Sequence, residues 1–319
     1  MEPGGGRQRA EVLILFRRVV RALAVVAAIA AGVAYARRRA TRRWERAVAA
    51  RLRPGPDGVV PGAAPLVMPC DGAAAVLLIH GFGDTPQTLA GLAAHLHGAG
   101  IAVRAPLLPG HGRSLREFSA SHAEVWMAHV RDELAELRSA HEHVAIVGLS
   151  MGGALATILA EDDADLFALV LIAPYLEMPA DVRQLARLHA PWGLFVPWMA
   201  ARGSEGSIHD PLARTENLSY GCISPRLVRE LARIADASFD AVPRVLAPTL
   251  IIQSRHDNRV QPATAQRGFD RLVRARTRRL IWAERGGHVI TVDEGREQIW
   301  GEVEAWLAAC RPDLVATRE

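Results

Sequence analysis

No lysine occurs anywhere in the 319 residues, so all 38 basic Lys/Arg positions are arginines. Alanine is abundant too, and together these point to the codon usage of a GC-rich genome. That excludes reading the arginines as a set chosen for guanidinium chemistry. Cysteine is scarce: Cys70, Cys222 and Cys310 are far apart and odd in number. They match no disulfide framework and no zinc-ligand spacing, so neither an oxidising compartment nor a metal is required by them. Aromatics make up 5% of the chain, yet Trp192, Phe195 and Trp198 fall in one short stretch. An excess of positive charge is missing from most of the chain. The formal net charge is +4, but residues 1–53 hold 13 Arg against three Glu, a net of +10. The remainder therefore sums to about −6, which argues against a nucleic-acid partner. The arginines at 271, 274, 276, 278 and 279 read as a solvated helix face leading into a strand.

What is present is an apolar half of the chain, enough for one large α/β domain with an insertion or for two small domains. Near the N-terminus, Ala22 to Ala36 is an uninterrupted run of apolar and small residues, extended by Val19 and Val20 across Arg21. As a helix the central run reaches about 22 Å, short of a hydrocarbon core of about 30 Å. Snorkelling of Arg21 and local thinning of the bilayer shorten that gap. The expectation is a single-pass helix at about 19–36, in a bacterial inner membrane. The denser arginines follow the span, which favours a cytoplasmic catalytic domain. A signal peptide cut after Ala34-Tyr35-Ala36 and a basic segment lying on the membrane surface are the alternatives. Residues 44–65, with Pro54, Pro56, Gly58, Pro61 and Gly62, read as a tether.

Beyond that, apolar β-rich runs alternate with helical stretches. Strands are expected at Ala74–His80, Ile101–Ala105, His143–Val147, Ala168–Ala173, Thr249–Ser254 and Arg279–Ala283. Helices fit Thr88–Leu96 and Ala123–Ser139. The alternation implies a mostly parallel sheet covered on both faces, with its ligand site at the carboxyl ends of the strands. Tyr175 to Val245 breaks the rhythm. It shows helical pieces at Ala180–His189 and Pro225–Ala237, an apolar cluster from Trp192 to Met199, and no convincing strand. It reads as an inserted helical cap whose aromatics fill the cap–core interface, or line an apolar pocket, or both.

The chemistry centres on Gly148-Leu149-Ser150-Met151-Gly152, directly after a buried apolar run. A strand, a sharp turn and a helix starting in small residues would lift one hydroxyl above the sheet and aim free backbone N–H groups at it. A serine hydroxyl needs a base, and the base needs an orienting carboxylate. In chains with such an elbow the acid comes next and the histidine last. Asp257 follows the strand Thr249–Ser254, and His288 follows the next strand after two glycines, Gly286-Gly287. His256, Asp210, Asp293 and Glu294 are weaker rivals; Asp293 and Glu294 look like the first turn of the last helix. The N–H groups of Phe82 and Met151 are expected to hold the developing oxyanion. His80 and His111 read as structural.

At this point the chain resembles the α/β-hydrolase superfamily, and within it the bacterial carboxylesterases and monoacylglycerol lipases. The resemblance covers about residues 70–310. It rests on His80-Gly81-Phe82-Gly83-Asp84-Thr85-Pro86, Leu108-Pro109-Gly110-His111-Gly112, Gly148-Leu149-Ser150-Met151-Gly152-Gly153 and His288-Val289-Ile290-Thr291-Val292-Asp293. It implies a small helical cap and cofactor-free hydrolysis of short-to-medium esters or monoacylglycerols. The expected organisation is a basic segment at 1–43, the tether at 44–65, a core at 66–174 and 246–312, and the cap at 175–245. The expected partners are a small ester or lipid-like substrate and a membrane. A carbon–carbon bond hydrolase, a perhydrolase and an inactive binding scaffold are the alternatives. Haloalkane dehalogenases and epoxide hydrolases need a carboxylate where Ser150 stands.

Overall fold

The computed structural model describes residues 5–201 and 206–311. The first helix, α1 (Gly5–Arg51), precedes β1 (Leu66–Met68) and β2 (Ala74–Ile79). Then come α2 (Ala90–Gly98), β3 (Ala102–Ala105), α3 (Leu115–Ala120), α4 (Ala123–Ala140), β4 (His143–Leu149), α5 (Met151–Leu159) and β5 (Ala168–Ile172). The segment after β5 holds α6 (Ala180–Arg187), α7 (His189–Gly193), β6 (Met199–Ala200), α8 (Pro211–Glu216), β7 (Cys222–Ile223) and α9 (Pro225–Ala241). The chain returns to the sheet through β8 (Thr249–Ser254), α10 (Pro262–Arg271), β9 (Arg278–Ala283) and α11 (Arg296–Cys310).

Seven strands form one sheet in the order β1-β3-β2-β4-β5-β8-β9. Every neighbouring pair is parallel except β1 with β3. The central strands are continuous apolar runs because both faces are covered: every residue of β2, β5 and β8 is buried. Apolar cores lie on the two faces, one including α4, α5 and α9, the other α2 and α11. On α4 the buried residues Ala123, Trp126, Met127, Val130, Leu134 and Leu137 recur at three- and four-residue spacing, forming a single stripe against the sheet. This is the α/β-hydrolase fold. Two details differ from expectation. β1 lies where no strand is expected, and β6 pairs antiparallel with β7 inside the segment read as strandless. Both are too short to show a period in sequence.

The N-terminal expectation needs correction. α1 is one continuous helix through residues 19–36, but no helix among the described residues is long and apolar enough to cross a membrane. The run between Arg21 and Arg37 reaches only about 22 Å. Nor is 44–65 a free tether: α1 continues to Arg51, and Val48, Leu52, Val60 and Ala63 are buried against the body. By contrast, Val12 to Phe16, Val19, Val20, Leu23, Val25, Val26 and Ile29 are exposed.

Candidate active site

At the carboxyl end of β4 the chain turns at Ser150, with φ of 55° and ψ of −116°, and enters α5 at Met151. A positive φ on a non-glycine residue costs about 1–3 kcal/mol, so the surroundings must impose it. They do so through close packing. A Cβ on Gly152 would lie 2.0 Å from the Ile79 carbonyl oxygen, and one on Gly148 would lie 2.3 Å from the Gly152 carbonyl oxygen. Only glycine lets the turn sit this tightly against the end of β2. The Ser150 amide donates to the Ile172 carbonyl at 2.9 Å, which ties the elbow to β5 as well. Ser150 is 8% exposed, so its hydroxyl meets a cavity rather than bulk water.

The structure brings Ser150, His288 and Asp257 together. His288 Nε2 lies 2.8 Å from Ser150 Oγ, and His288 Nδ1 lies 2.8 Å from Asp257 Oδ2. The carboxylate fixes the tautomer: Nδ1–H donates to Asp257, leaving the Nε2 lone pair facing the serine hydroxyl. Asp257 is itself held from three sides. Gln253 Nε2 donates to its Oδ2 at 2.8 Å, and the amides of Arg259 and Val260 donate to its Oδ1 at 2.8 Å each. Burial pushes this carboxyl's pKa up, but the His288 charge and hydrogen bond and the two amides outweigh it and hold it below the usual carboxylate range. The carboxylate is therefore held ionised beside the imidazole.

Two contributors escape sequence reasoning. Gln253 is one; its amide is fully buried, and the signal in the sequence is a polar side chain directly after the apolar run Leu250-Ile251-Ile252. The other is Asp293. The last helix begins at Arg296, not at Asp293, so Asp293 is not a first-turn acid. Its fully buried carboxylate accepts the amides of His209, Asp210, Gly287 and Glu294 at 2.6–2.9 Å. Burial raises its pKa, and the four amides more than reverse that. The loop carrying His288 is thereby tied to residues 209–210, which lie in the segment between β5 and β8. Ser254 Oγ adds a bond to the Gly286 carbonyl at 2.6 Å, and the Val289 amide one to the Ser207 carbonyl at 3.0 Å. Of the weaker rivals, His256 is exposed, Asp210 caps α8, and Glu294 lies beside Arg285.

The loop after β2 lies against the nucleophile: a Cβ on Gly81 would come within 3.4 Å of Ser150 Cβ. Phe82, the next residue, packs its ring on His111, Phe118 and Trp126. His80 holds this loop from beneath, donating from Nδ1 to the Gly81 carbonyl while Nε2 accepts the Leu108 amide. Burial lowers the His80 pKa to about 4, so it stays neutral. His111 is likewise held well below its usual value, by burial and by the neighbouring His80. Phe82 lines the same cavity as Ser150, and Met151 follows the serine directly as the first residue of α5.

Above the serine lies a cavity of about 450 Å³. Its roof is apolar and comes from the segment between β5 and β8, including Val182, Leu185, Trp192, Ile223 and Leu231. Its floor is polar, with Asp84 and Arg259 beside Ser150. Asp84 was not anticipated. Burial raises its carboxyl pKa against the opposing pull of Arg259 and His288.

Residues 71–295 match the family Hydrolase_4 (serine aminopeptidase, S33). A thermostable monoacylglycerol lipase of Bacillus sp. (strain H-257) is 28% identical over 229 residues, covering 72% of this chain and 88% of the relative. A carboxylesterase of Bacillus subtilis (strain 168) is 27% identical over 242 residues, covering 74% and 93%. Among solved structures, one reported for the metagenome-derived lipolytic enzymes LipS and LipT superposes with a TM-score of 0.72 at 30% identity, covering 79% of this chain and 99% of that one. The match spans the elbow, the acid loop and the histidine loop together, and the chain belongs to the Hydrolase_4 family of serine hydrolases with the α/β-hydrolase fold.

Proposed function

We propose that the protein hydrolyses carboxylic esters through an acyl-enzyme on Ser150. The observation that carries this reading is the relay from Ser150 Oγ through His288 to Asp257, which opens on an apolar cavity. His288 Nε2 takes the hydroxyl proton as Oγ attacks the ester carbonyl. The Phe82 and Met151 amides stabilise the oxyanion; one such donor contributes about 3 kcal/mol to transition-state binding. Collapse of the tetrahedral species breaks the acyl–oxygen bond, and the imidazolium returns the proton to the departing alcohol. Water, deprotonated by the same imidazole, then cleaves the acyl-enzyme and frees Ser150. No cofactor takes part.

The names of the two Bacillus relatives, a monoacylglycerol lipase and a carboxylesterase, support an ester substrate, a monoacylglycerol included; a short-to-medium acyl chain is part of this reading. In this reading 66–174 and 246–312 form the catalytic core, and 175–245 is a cap whose apolar roof takes the acyl chain. The described part of the arm in the 1–43 segment, residues 11–43, lies on a membrane surface, its apolar residues in the lipid and its arginines at the headgroups. The test is turnover of p-nitrophenyl esters of graded chain length, with Ser150→Ala alongside. A maximum at short or medium chains that vanishes in the variant is the expected result. Undiminished turnover by Ser150→Ala would sink the mechanism.

A further inference from the structure

A second cavity, of about 520 Å³, lies where α1, α3 and α7 meet. Three guanidinium groups line it, those of Arg37, Arg116 and Arg226. The Arg37 Nε donates to the Gly193 carbonyl at 3.0 Å, which ties α1 to the end of α7. Arg226 donates to the Ser119 carbonyl at 3.1 Å, which ties the start of α9 to α3. Each guanidinium has five N–H donors, so these anchors leave several on both residues. Thr41 and His189 add polar atoms, and Glu45 is the one carboxylate in the lining. The groove therefore carries a positive excess, with two of its three arginines anchored by backbone contacts.

Its setting is apolar. Leu188, Leu194 and Phe195, at the two ends of α7, are exposed to between 51% and 67%, and the apolar residues of α1 from Val12 to Ile29 are exposed as well. Cations beside bare apolar side chains fit a surface with negative headgroups over hydrocarbon. The groove also shares α7 with the cavity above Ser150: Trp192 faces that cavity, while His189 and Gly193 line the groove.

We propose that the groove between α1, α3 and α7 binds the phosphate of an anionic phospholipid headgroup, seating the α7 tip in the bilayer beside the substrate cavity. The proposal rests on the reading that the arm lies on a membrane, and is independent of the ester chemistry. A headgroup held there would place acyl chains of the same leaflet next to Leu194 and Phe195. An ester substrate would then enter from the lipid instead of from water.

The test is co-sedimentation of the full chain with phosphatidylcholine vesicles containing or lacking phosphatidylglycerol. Wild type is expected to bind the anionic vesicles more tightly. R37Q/R116Q/R226Q is expected to lose about a hundredfold in partitioning, about fivefold per arginine. The same preparations should hydrolyse a soluble short ester at the wild-type rate, which shows that the fold is intact; R116Q alone, changing one exposed side chain, serves if the triple variant does not fold. Equal loss in the control R274Q/R279Q/R285Q would overturn the groove in favour of bulk charge. Wild-type binding by the groove variant would overturn it too. Failure of wild type to bind any vesicle would remove both the groove and the membrane reading of the arm, leaving the esterase to stand on its own test. Binding of inorganic phosphate without vesicle binding would show a free-phosphate site and would also contradict the proposal.

Discussion

The core and the segment between β5 and β8 meet at the same cavity but are built to different tolerances. On the core side, each residue of the proposed relay is held by several close contacts. Ser150 sits on an elbow that admits no Cβ at Gly148 or Gly152, Asp257 accepts two amides and the Gln253 amide, and the His288 loop is pinned through Gly286, Gly287 and Val289. On the roof side the lining is aliphatic and aromatic, and contact there depends on volume more than on direction. Leu185, which lines the roof, is 42% exposed. Proton transfer requires fixed atoms, because hydrogen bonds weaken steeply with distance and angle. An acyl chain requires only dry space, so the roof can vary without stopping the chemistry.

The sharpest way to break this comparison is to alter the relay without altering volume. Asp257→Asn keeps the size of the side chain but removes the charge that fixes the His288 tautomer. It should lower kcat for a soluble ester by about ten-thousandfold with little change in KM. A loss of less than tenfold would mean that another group orients the histidine. Next in size is the elbow. Gly152→Ala puts a methyl 2.0 Å from the Ile79 carbonyl oxygen, and the backbone must move to admit it. Urea unfolding should show a loss of about 3 kcal/mol or more, and the folded fraction should be nearly inactive. Unchanged stability would mean that β2 and the elbow are not packed as described. The smallest effect belongs to the roof. Val182→Trp narrows the cavity from α6 and should shift the preferred acyl chain shorter. It should lower kcat/KM for the longest substrates by about tenfold and leave a two-carbon ester unaffected. Equal loss on all chain lengths would place Val182 in the fixed machinery instead.

The same contrast explains what could be read from sequence. The parallel strands and the residues just beyond their carboxyl ends are legible, because each central strand carries an apolar run and each residue of the proposed relay follows one closely. The fixed side also contains what was not legible. Asp293 looks in sequence like a helix-starting acid, since Asp-Glu before a helix is a common local pattern. Its partners His209 and Asp210 lie more than eighty residues away, and only the folded chain brings them together. Gln253 leaves a usable trace, a polar residue directly after the apolar run Leu250-Ile251-Ile252. The N-terminal arm is ambiguous in sequence for another reason. Apolar content and flanking arginines suit a spanning helix and a surface helix alike, and length decides between them. The packing of Val48 and Leu52 on the body could not be seen from a stretch rich in proline and glycine further on.

The central claim is that Ser150 is the nucleophile, and covalent trapping tests it most directly. The intact protein is treated with a fluorophosphonate, its mass is measured, and the labelled peptide is sequenced. One adduct per chain on Ser150, absent in both Ser150→Ala and His288→Ala, is the predicted result. An adduct on another residue, or none on a folded chain that still turns over esters, would contradict the account.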